Sequence, residues 1–369
     1  MEFFVDLHIH VGRTSRGEVV KVSASSDLTF ESILREAACR KGLDAVGVVD
    51  CACPGVQEDM RRLLDSGAME PLAGGGLLYR GRLVVIPAAE IGVSVNGKEA
   101  HFVAYLPTLE AAVDFSRLLS PYVTNIRLSS QRARLDALGL LEITSGCGGH
   151  LVPAHVFTPH RGYFGCAATK LAEGFGDERS RLLAVELGLS ADTAMASRLS
   201  DLDGIPFLSN SDAHSTAKIA REYNKIEAPD LSFDSLVRAV KGERGRIAAN
   251  YGLDPRLGKY HRTRCNACGR EIPLLAERMC PACGSHRITV GVRDRLDEIA
   301  DRDLPQESGR PPYIHQVPLE FIPGVGRRTL ERLLGTFGAE MNVLHRAGPG
   351  ELAAAVGEKV AGLILLARE

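Results

Sequence analysis

Apolar residues gather in seven short runs over the first 254 residues: Phe3–Leu7, Ala45–Val49, Leu83–Pro87, His101–Tyr105, Leu151–Pro153, Leu183–Leu187 and Pro206–Leu208. Each has the length of a strand. Between them lie amphipathic stretches such as Phe30–Lys41, where Ile33, Leu34 and Ala37 share one helical face. Strands alternating with helices predict βαβ units and a mostly parallel sheet that can close into a barrel. No short-period repeat is present, which excludes a solenoid.

The pattern changes near Asp254-Pro255. Residues 256–290 hold four cysteines and many basic side chains, and the polar stretch Arg293–Asp303 predicts a solvated helix. Leu304–Pro312, with Pro305, Ser308-Gly309 and Pro311-Pro312, reads as a linker. The last fifty residues are helical and punctuated by glycine. The expected division is a large α/β unit over 1–254, a cysteine module with its following helix over 255–303, a linker over 304–315 and a helical tail over 316–369.

Composition narrows the class. A chain of 369 residues, 45% hydrophobic, can bury a large core without covalent staples. The first residues lack the basic and apolar regions of a secretory signal, and no run of 18 apolar residues could span a membrane. The nine cysteines therefore read as thiols or metal ligands in a reducing, cytoplasmic setting.

Polar residues of one chemical kind collect at the strand ends. Asp6-Leu7-His8-Ile9-His10 places His8 and His10 on one face, because alternate side chains of a strand share a face. Asp50 closes the second run, Glu90 follows the third, His101 opens the fourth and His155 ends the fifth, while Asp212 and His214 follow the seventh. The carboxyl ends of strands form the site in barrels and open α/β sheets, so these groups should converge. Imidazole and carboxylate suit zinc, manganese or iron. Two ions about 3.5–4 Å apart can stabilise the attacking and leaving oxygens of a phosphoryl displacement, and a divalent ion lowers the pKa of bound water to roughly 7. His150, His160 and His315 carry no such pattern and read as ordinary histidines.

Asp6-Leu7-His8-Ile9-His10 and Asn210-Ser211-Asp212-Ala213-His214 resemble the first and last motifs of the polymerase and histidinol phosphatase (PHP) domain family. The resemblance implies a distorted (β/α)7 barrel with two or three divalent ions (Zn, Mn or Mg) that hydrolyses phosphoesters. It implies metal ligation by His8, His10, Glu90, His101, His155, Asp212 and His214, with Asp50 and Cys53 as further ligands. Cys53 departs from the pattern, standing in Asp50-Cys51-Ala52-Cys53-Pro54 where a histidine is expected. A thiolate suits zinc and suits Mg or Mn poorly.

Cys265-Asn266-Ala267-Cys268-Gly269 and Cys280-Pro281-Ala282-Cys283-Gly284 are two C-x2-C knuckles, each followed by the glycine that a tight turn needs. Four thiolates make a closed, structural zinc site. Arg264 and Arg270 lie in this basic module and can meet a phosphate backbone. In the tail, Pro323-Gly324-Val325-Gly326-Arg327-Arg328-Thr329 precedes Leu330, Leu333, Leu334 and Phe337 at helical spacing. Gly324, Gly326, Arg327, Arg328 and Thr329 resemble a helix-hairpin-helix motif, which grips DNA backbone; a degenerate second copy lies at Leu352–Leu366.

A PHP barrel, a four-cysteine ribbon and a helix-hairpin-helix tail, in that order, resemble the endonuclease Q family of DNA repair nucleases. So do Pro153-Ala154-His155-Val156-Phe157-Thr158-Pro159, Glu186–Asp192, Ser209–Ser215 with Arg221-Glu222, and Arg310–His315. The resemblance implies a metal-dependent endodeoxyribonuclease that cuts 5′ to uracil, hypoxanthine, xanthine or abasic sites in single- or double-stranded DNA, working as a monomer. His8, His10, Glu90, His155, Asp212 and His214 would form its catalytic centre, with Asp212 and Glu90 bridging ions. Glu186 and Arg221 would position ligands, contact phosphate or serve structure alone. Two rivals remain: a small-molecule phosphoesterase of the histidinol-phosphatase type, and a non-catalytic DNA-binding protein. The formal charge of −2 is an average, since residues 1–254 carry −5 and residues 255–369 carry +3.

Overall fold

The computed structural model describes residues 1–273, 278–306 and 309–368, so Glu277 and Ser308 lie outside it. Strand β1 (Glu2–Ile9) runs parallel to β2 (Ala45–Val48), and β2 runs parallel to β3 (Leu83–Val95). β3 then turns at Asn96-Gly97, both with positive φ (50° and 77°), into β4 (Lys98–Tyr105). That two-residue turn is too short for a crossover helix, so β4 pairs antiparallel with β3 and against the expected parallel order.

β4 pairs antiparallel with β5 (His150–Pro153), and β6 (Val185–Glu186) pairs parallel with β7 (Phe207–Leu208). Two seams are closed by separate bonds. Leu183 N–H donates to the Leu151 carbonyl (3.1 Å) and Val156 N–H to the Glu186 carbonyl (2.8 Å), joining β5 to β6. The segment after β7 returns to β1 through an Ile9–Ala213 bridge, with His10 N–H on the Ala213 carbonyl at 3.0 Å. Seven strands thus close a distorted ring, and all seven coincide with the apolar runs.

A slip in the β1–β2 register between Asp6 and Ile9 aims the site. Below it, Val5 and Leu7 pack with Val84, Ile86 and Ala88 of β3. Beyond it, His8 and His10 come round to meet Glu90, which continues that same row of β3. Bulges commonly redirect side chains in this way beside functional sites.

On the far side of β1 the sheet extends through β8 (Tyr223–Glu227), antiparallel to β1, and β9 (Arg246–Gly252), antiparallel to β8. The cysteine module carries β10 (Arg264–Cys265) and β11 (Ile288–Thr289), an antiparallel pair. The expected linker contains a strand, β12 (Tyr313–His315), parallel to β9. Proline breaks helices but leaves an edge strand free to form, and β9 supplies its partner. The helix expected over 293–303 is Val292–Ile299, and it is anchored rather than fully solvated. Val292 and Leu296 are buried, and Arg295 donates to the carbonyls of Phe164 and Ala168.

The tail holds helices Arg327–Phe337, Glu340–His345, Pro349–Val356 and Glu358–Leu366. It docks on the barrel through a buried ion pair, Lys41 Nζ to Glu340 Oε1 and Oε2, both at 3.0 Å. Lys41 ends the expected helix, which begins as an α-helix (Phe30–Arg35) and widens into a π-turn over Glu36–Lys41. No helix among the described residues is long and apolar enough to cross a membrane.

Candidate active site and metal centres

Where β1 ends, the side chains form two adjoining clusters, His8–His10–Asp212 and Glu90–His101–His155; Glu90 and His101 stand inside β3 and β4 rather than at their ends, because both strands run on beyond the apolar runs. All but the partly open Asp212 are buried. Asp212 Oδ1 lies 3.6 Å from His8 Nε2 and 3.4 Å from His10 Nε2. Glu90 joins the groups. Its Oε1 faces His101 Nδ1 at 2.7 Å, His155 Nε2 at 3.2 Å and His8 Nε2 at 3.6 Å, and its Oε2 lies 3.5 Å from His10 Nε2.

These atoms test whether a metal fits. His8 Nε2, His10 Nε2, His101 Nε2 and Asp212 Oδ1 are buried and have no hydrogen-bond partner. Buried polar atoms are almost always paired, so the three orphans that converge, His8 Nε2, His10 Nε2 and Asp212 Oδ1, have the character of metal ligands, while His101 Nε2 turns towards Glu99 Oε1 at 3.5 Å. Each imidazole is fixed through its other nitrogen or through a neighbour. His8 Nδ1 meets Glu186 Oε2 at 3.0 Å, and His10 Nδ1 meets Asp50 Oδ2 at 3.2 Å. A carboxylate on the far nitrogen sets the tautomer and leaves Nε2 free for metal.

The electrostatics of the centre point the same way. Burial would raise the Asp212 carboxyl, but hydrogen bonding by His10 and the charges of His8 and His155 hold it well below the usual carboxylate range. Burial likewise opposes ionisation of Glu90, and His101, Lys21 and His10 outweigh it. The anionic form prevails at both carboxylates, as ligation requires.

Backbone strain is concentrated here. His155 (φ 31°) and Asp212 (φ 45°) occupy left-handed conformations that such residues seldom adopt. His155 also presses on Gly188, where a Cβ would approach its own Cβ to 2.8 Å, so only glycine fits.

Asp50 and Cys53, expected among the ligands, stand outside both clusters. Asp50 is occupied by the Val11 N–H (2.6 Å), the Ser129 hydroxyl and His10 Nδ1. Cys53 turns away, its Sγ donating to the Arg127 carbonyl at 3.0 Å. His214 borders the first group, its ring 4.5 Å from that of His10, and burial pushes its imidazole down to about 4. Glu186 orients His8 and accepts the His155 N–H at 3.1 Å, while Arg221 donates to the carbonyls of Ser211 and Asp212. Lys21, Ser129 and Ser130 border the same centre without having stood out in sequence. They are isolated polar residues in loops.

The four cysteines of the ribbon converge as their spacing implies. Cys265 Sγ lies 3.6 Å from Cys283 Sγ, and Cys268 Sγ lies 3.7 Å from Cys280 Sγ. Gly269 (φ 72°) and Gly284 (φ 68°) make the two knuckle turns. Arg264 and Arg270 are exposed on this module. In the tail Gly326 caps helix Arg327–Phe337, Gly324 turns at φ 89°, Arg327 and Arg328 are exposed and Thr329 is half-buried. Among the other histidines, His315 pairs with Asp192 and His160 packs on Tyr260, apart from the centre.

A family model described as PHP-associated matches residues 192–244. The uncharacterized protein YqxK of Bacillus subtilis (strain 168) is 44% identical over 370 residues, covering 100% of this chain and 95% of that protein. The crystal structure of the lesion-specific endonuclease PfuEndoQ from Pyrococcus furiosus superposes with a TM-score of 0.85 at 32% identity, covering 100% of this chain and 91% of that one. An endonuclease Q bound to a 27-mer duplex with an abasic lesion at its active site gives 0.83 at 32% identity, covering 99% and 91%. Likeness at this level runs through barrel, ribbon and tail together. The chain is a metal-dependent endonuclease on a PHP-type fold and belongs to the endonuclease Q family.

Proposed function

We propose that this chain repairs DNA by hydrolysing the phosphodiester 5′ to uracil, hypoxanthine, xanthine or an abasic site, leaving 3′-hydroxyl and 5′-phosphate ends. The observation that carries the reading is the full-length match to endonuclease Q bound to a lesion duplex, in a chain whose own centre presents three converging orphaned ligand atoms. A cytoplasmic site of action follows from that substrate.

His8, His10 and Asp212 would hold one divalent ion and His101 and His155 a second, with Glu90 shared between them. Such ions, of zinc, manganese or magnesium, supply a nucleophile near neutral pH and charge stabilisation of the leaving oxygen. The residues of the chain do the positioning. Glu186 and Asp50 fix the imidazoles of His8 and His10, and Arg221 holds the strained backbone that carries Asp212. His214, at the open edge, completes the catalytic set.

The division of labour follows the expected boundaries. The barrel over 1–254 cuts, the ribbon over 255–303 is stapled by zinc at Cys265, Cys268, Cys280 and Cys283, and the tail over 316–369 holds backbone. Gly324, Gly326, Arg327, Arg328, Thr329, Arg264 and Arg270 are the proposed DNA contacts, a sequence-independent grip. The lesion nucleotide is rotated out of the stack, at least cost where pairing is already weak.

The test is nicking of a duplex carrying a single deoxyuridine, deoxyinosine or abasic site. Cleavage 5′ to the lesion that disappears in Asp212→Ala is expected. Equal cutting of undamaged duplex would overturn the lesion specificity, and turnover of phosphomonoesters alone would favour the small-molecule rival.

A further inference from the structure

We propose that three buried asparagines, Asn250, Asn224 and Asn210, form a one-way line of side-chain amides that positions Glu186 and, through it, the imidazole of His8. The inference rests on the reading of His8 as a metal ligand but not on the identity of the substrate.

The line crosses the molecule without leaving its interior. Asn250 Nδ2 on β9 donates to Asn224 Oδ1 on β8 at 2.8 Å. Asn224 Nδ2 donates to Asn210 Oδ1, just past β7, at 3.0 Å. Asn210 Nδ2 donates to Glu186 Oε2 at the end of β6 at 2.9 Å, and the same oxygen meets His8 Nδ1 at 3.0 Å. All five residues are fully buried.

Backbone groups set the direction of every amide. Leu7 N–H donates to Asn210 Oδ1 at 3.0 Å and Ser209 N–H to Asn224 Oδ1 at 2.9 Å. Asn224 Nδ2 and Asn250 Nδ2 donate to the carbonyls of Ser209 (2.8 Å) and Phe207 (3.1 Å). Turning any of the three over would set donor against donor or oxygen against oxygen. These anchors exist because β7 is only two residues long, so the backbone beside it finds its partners in side chains. At the far end Asn250 Oδ1 has no partner, so the line begins there and each dipole adds to the next.

Glu186 is where such a hold matters. Its Oε1 accepts the His155 N–H at 3.1 Å while Oε2 serves His8, so a rotated carboxylate would disturb two ligands at once. A carboxylate on the far nitrogen fixes a ligating imidazole, and partners of that kind carry much of a site's metal affinity. The asparagines act through Glu186 and are positioning residues.

Asn210 lies beside the loop of Asp212, so the test uses the two more distant amides, in the full chain. Competition with a chromophoric chelator for Mn²⁺ or Zn²⁺ should show Asn224→Ala binding the barrel ions about tenfold more weakly. Asn250→Ala should lose less, and ribbon zinc should be held as in wild type. The double variant should match Asn224→Ala alone, because a line already cut is not cut again upstream; additive losses would overturn the proposal. In the cadmium-loaded chain the NMR resonances of the barrel ions should move in both single variants while that of the ribbon stays. Variants that melt lower yet keep wild-type metal affinity and resonances would refute positioning and leave the amides as fillers of the seam. Should Asn224→Ala fail to fold, Asn250→Ala decides by the same readouts. A wild-type chain that binds metal in its ribbon alone would sink the reading of His8 as a ligand and the proposal with it, an outcome distinct from unaltered variants. Neither measurement needs DNA.

Discussion

The imidazole of His345 lies against the ring of Phe4, centroids 4.3 Å apart and planes 22° from parallel. Its Nε2 meets the Tyr223 hydroxyl at 2.7 Å. The first barrel strand and the C-terminal tail thus share one aromatic cluster.

Acid should loosen that dock. Burial, with Lys225, Arg368 and Arg346 nearby, pushes the His345 imidazole down to about 3. The folded ring stays neutral while the unfolded ring takes up a proton below its ordinary 6.5, so stability is complete above that pH and erodes as pH falls towards 3. At pH 5 the loss is about 2 kcal/mol. Hydrogen exchange over residues 340–366, corrected for intrinsic rate, should show lower protection at pH 5 than at pH 7, and His345→Phe should abolish the difference. Equal protection at both values would count against the linkage.

Asp50→Asn should weaken barrel metal binding by about 10- to 100-fold, because it removes the carboxylate that sets the His10 tautomer. Cys53→Ser should change it by no more than about twofold, a thiol hydrogen-bonded to Arg127 being replaced by a hydroxyl that can do the same. Chelator competition on the two variants separates the roles. Equal losses would restore Cys53 as a ligand.

The seven ring strands were legible because each is a short apolar run between amphipathic segments, down to Val185–Glu186 and Phe207–Leu208. His8, His10, His155 and Asp212 were legible because strand ends are where barrel chemistry gathers, whereas Glu90 and His101 lie inside Leu83–Val95 and Lys98–Tyr105, whose apolar runs understate the strands. What sequence did not disclose depends on distant partners. Tyr313–His315 lies beside two prolines and becomes a strand because Arg246–Gly252 offers an edge. Tyr223–Glu227 reads as polar, yet Asn224 is buried and bonds the Ser209 backbone and the Asn210 side chain. The reversed direction of Lys98–Tyr105 was signalled by Asn96-Gly97, a hairpin dipeptide masked by the surrounding βαβ pattern. Lys21 lay beyond reach because a single lysine in a loop has no periodicity to betray it.

The ribbon should be a separate metal site with a separate consequence. Among the described residues its core is Cys265, Ile272 and Cys280, two of them ligands, so the ion is expected to contribute folding free energy outright. Cys283→Ser should lower the metal count by one per chain, leave the barrel ions in place and weaken duplex binding by roughly tenfold through loss of the ordered basic face. Metal analysis and a salt-dependent binding titration check both halves. Loss of barrel ions instead would show that the two centres fold as one unit.

Glu222 gives a pH dependence of the whole fold. It is fully buried; burial lifts its carboxyl to about 8, with Arg221 opposing and Glu186 and Asp6 adding to the rise. Its Oε1 accepts the Leu253 N–H at 3.3 Å, while Oε2 has no partner. In the folded chain it is protonated at neutral pH, whereas the unfolded chain ionises it near 4.5. Its contribution is therefore complete below about pH 4.5 and is lost as pH rises through 8, at about 1.4 kcal/mol per unit. Glu222→Gln keeps the acceptor for Leu253 and removes the ionisation. The melting temperature of this variant should match wild type at pH 4.5 and exceed it by roughly 5 °C at pH 9. A gain of the same size at both values would mean that better hydrogen bonding, not relief of a buried charge, stabilises the variant.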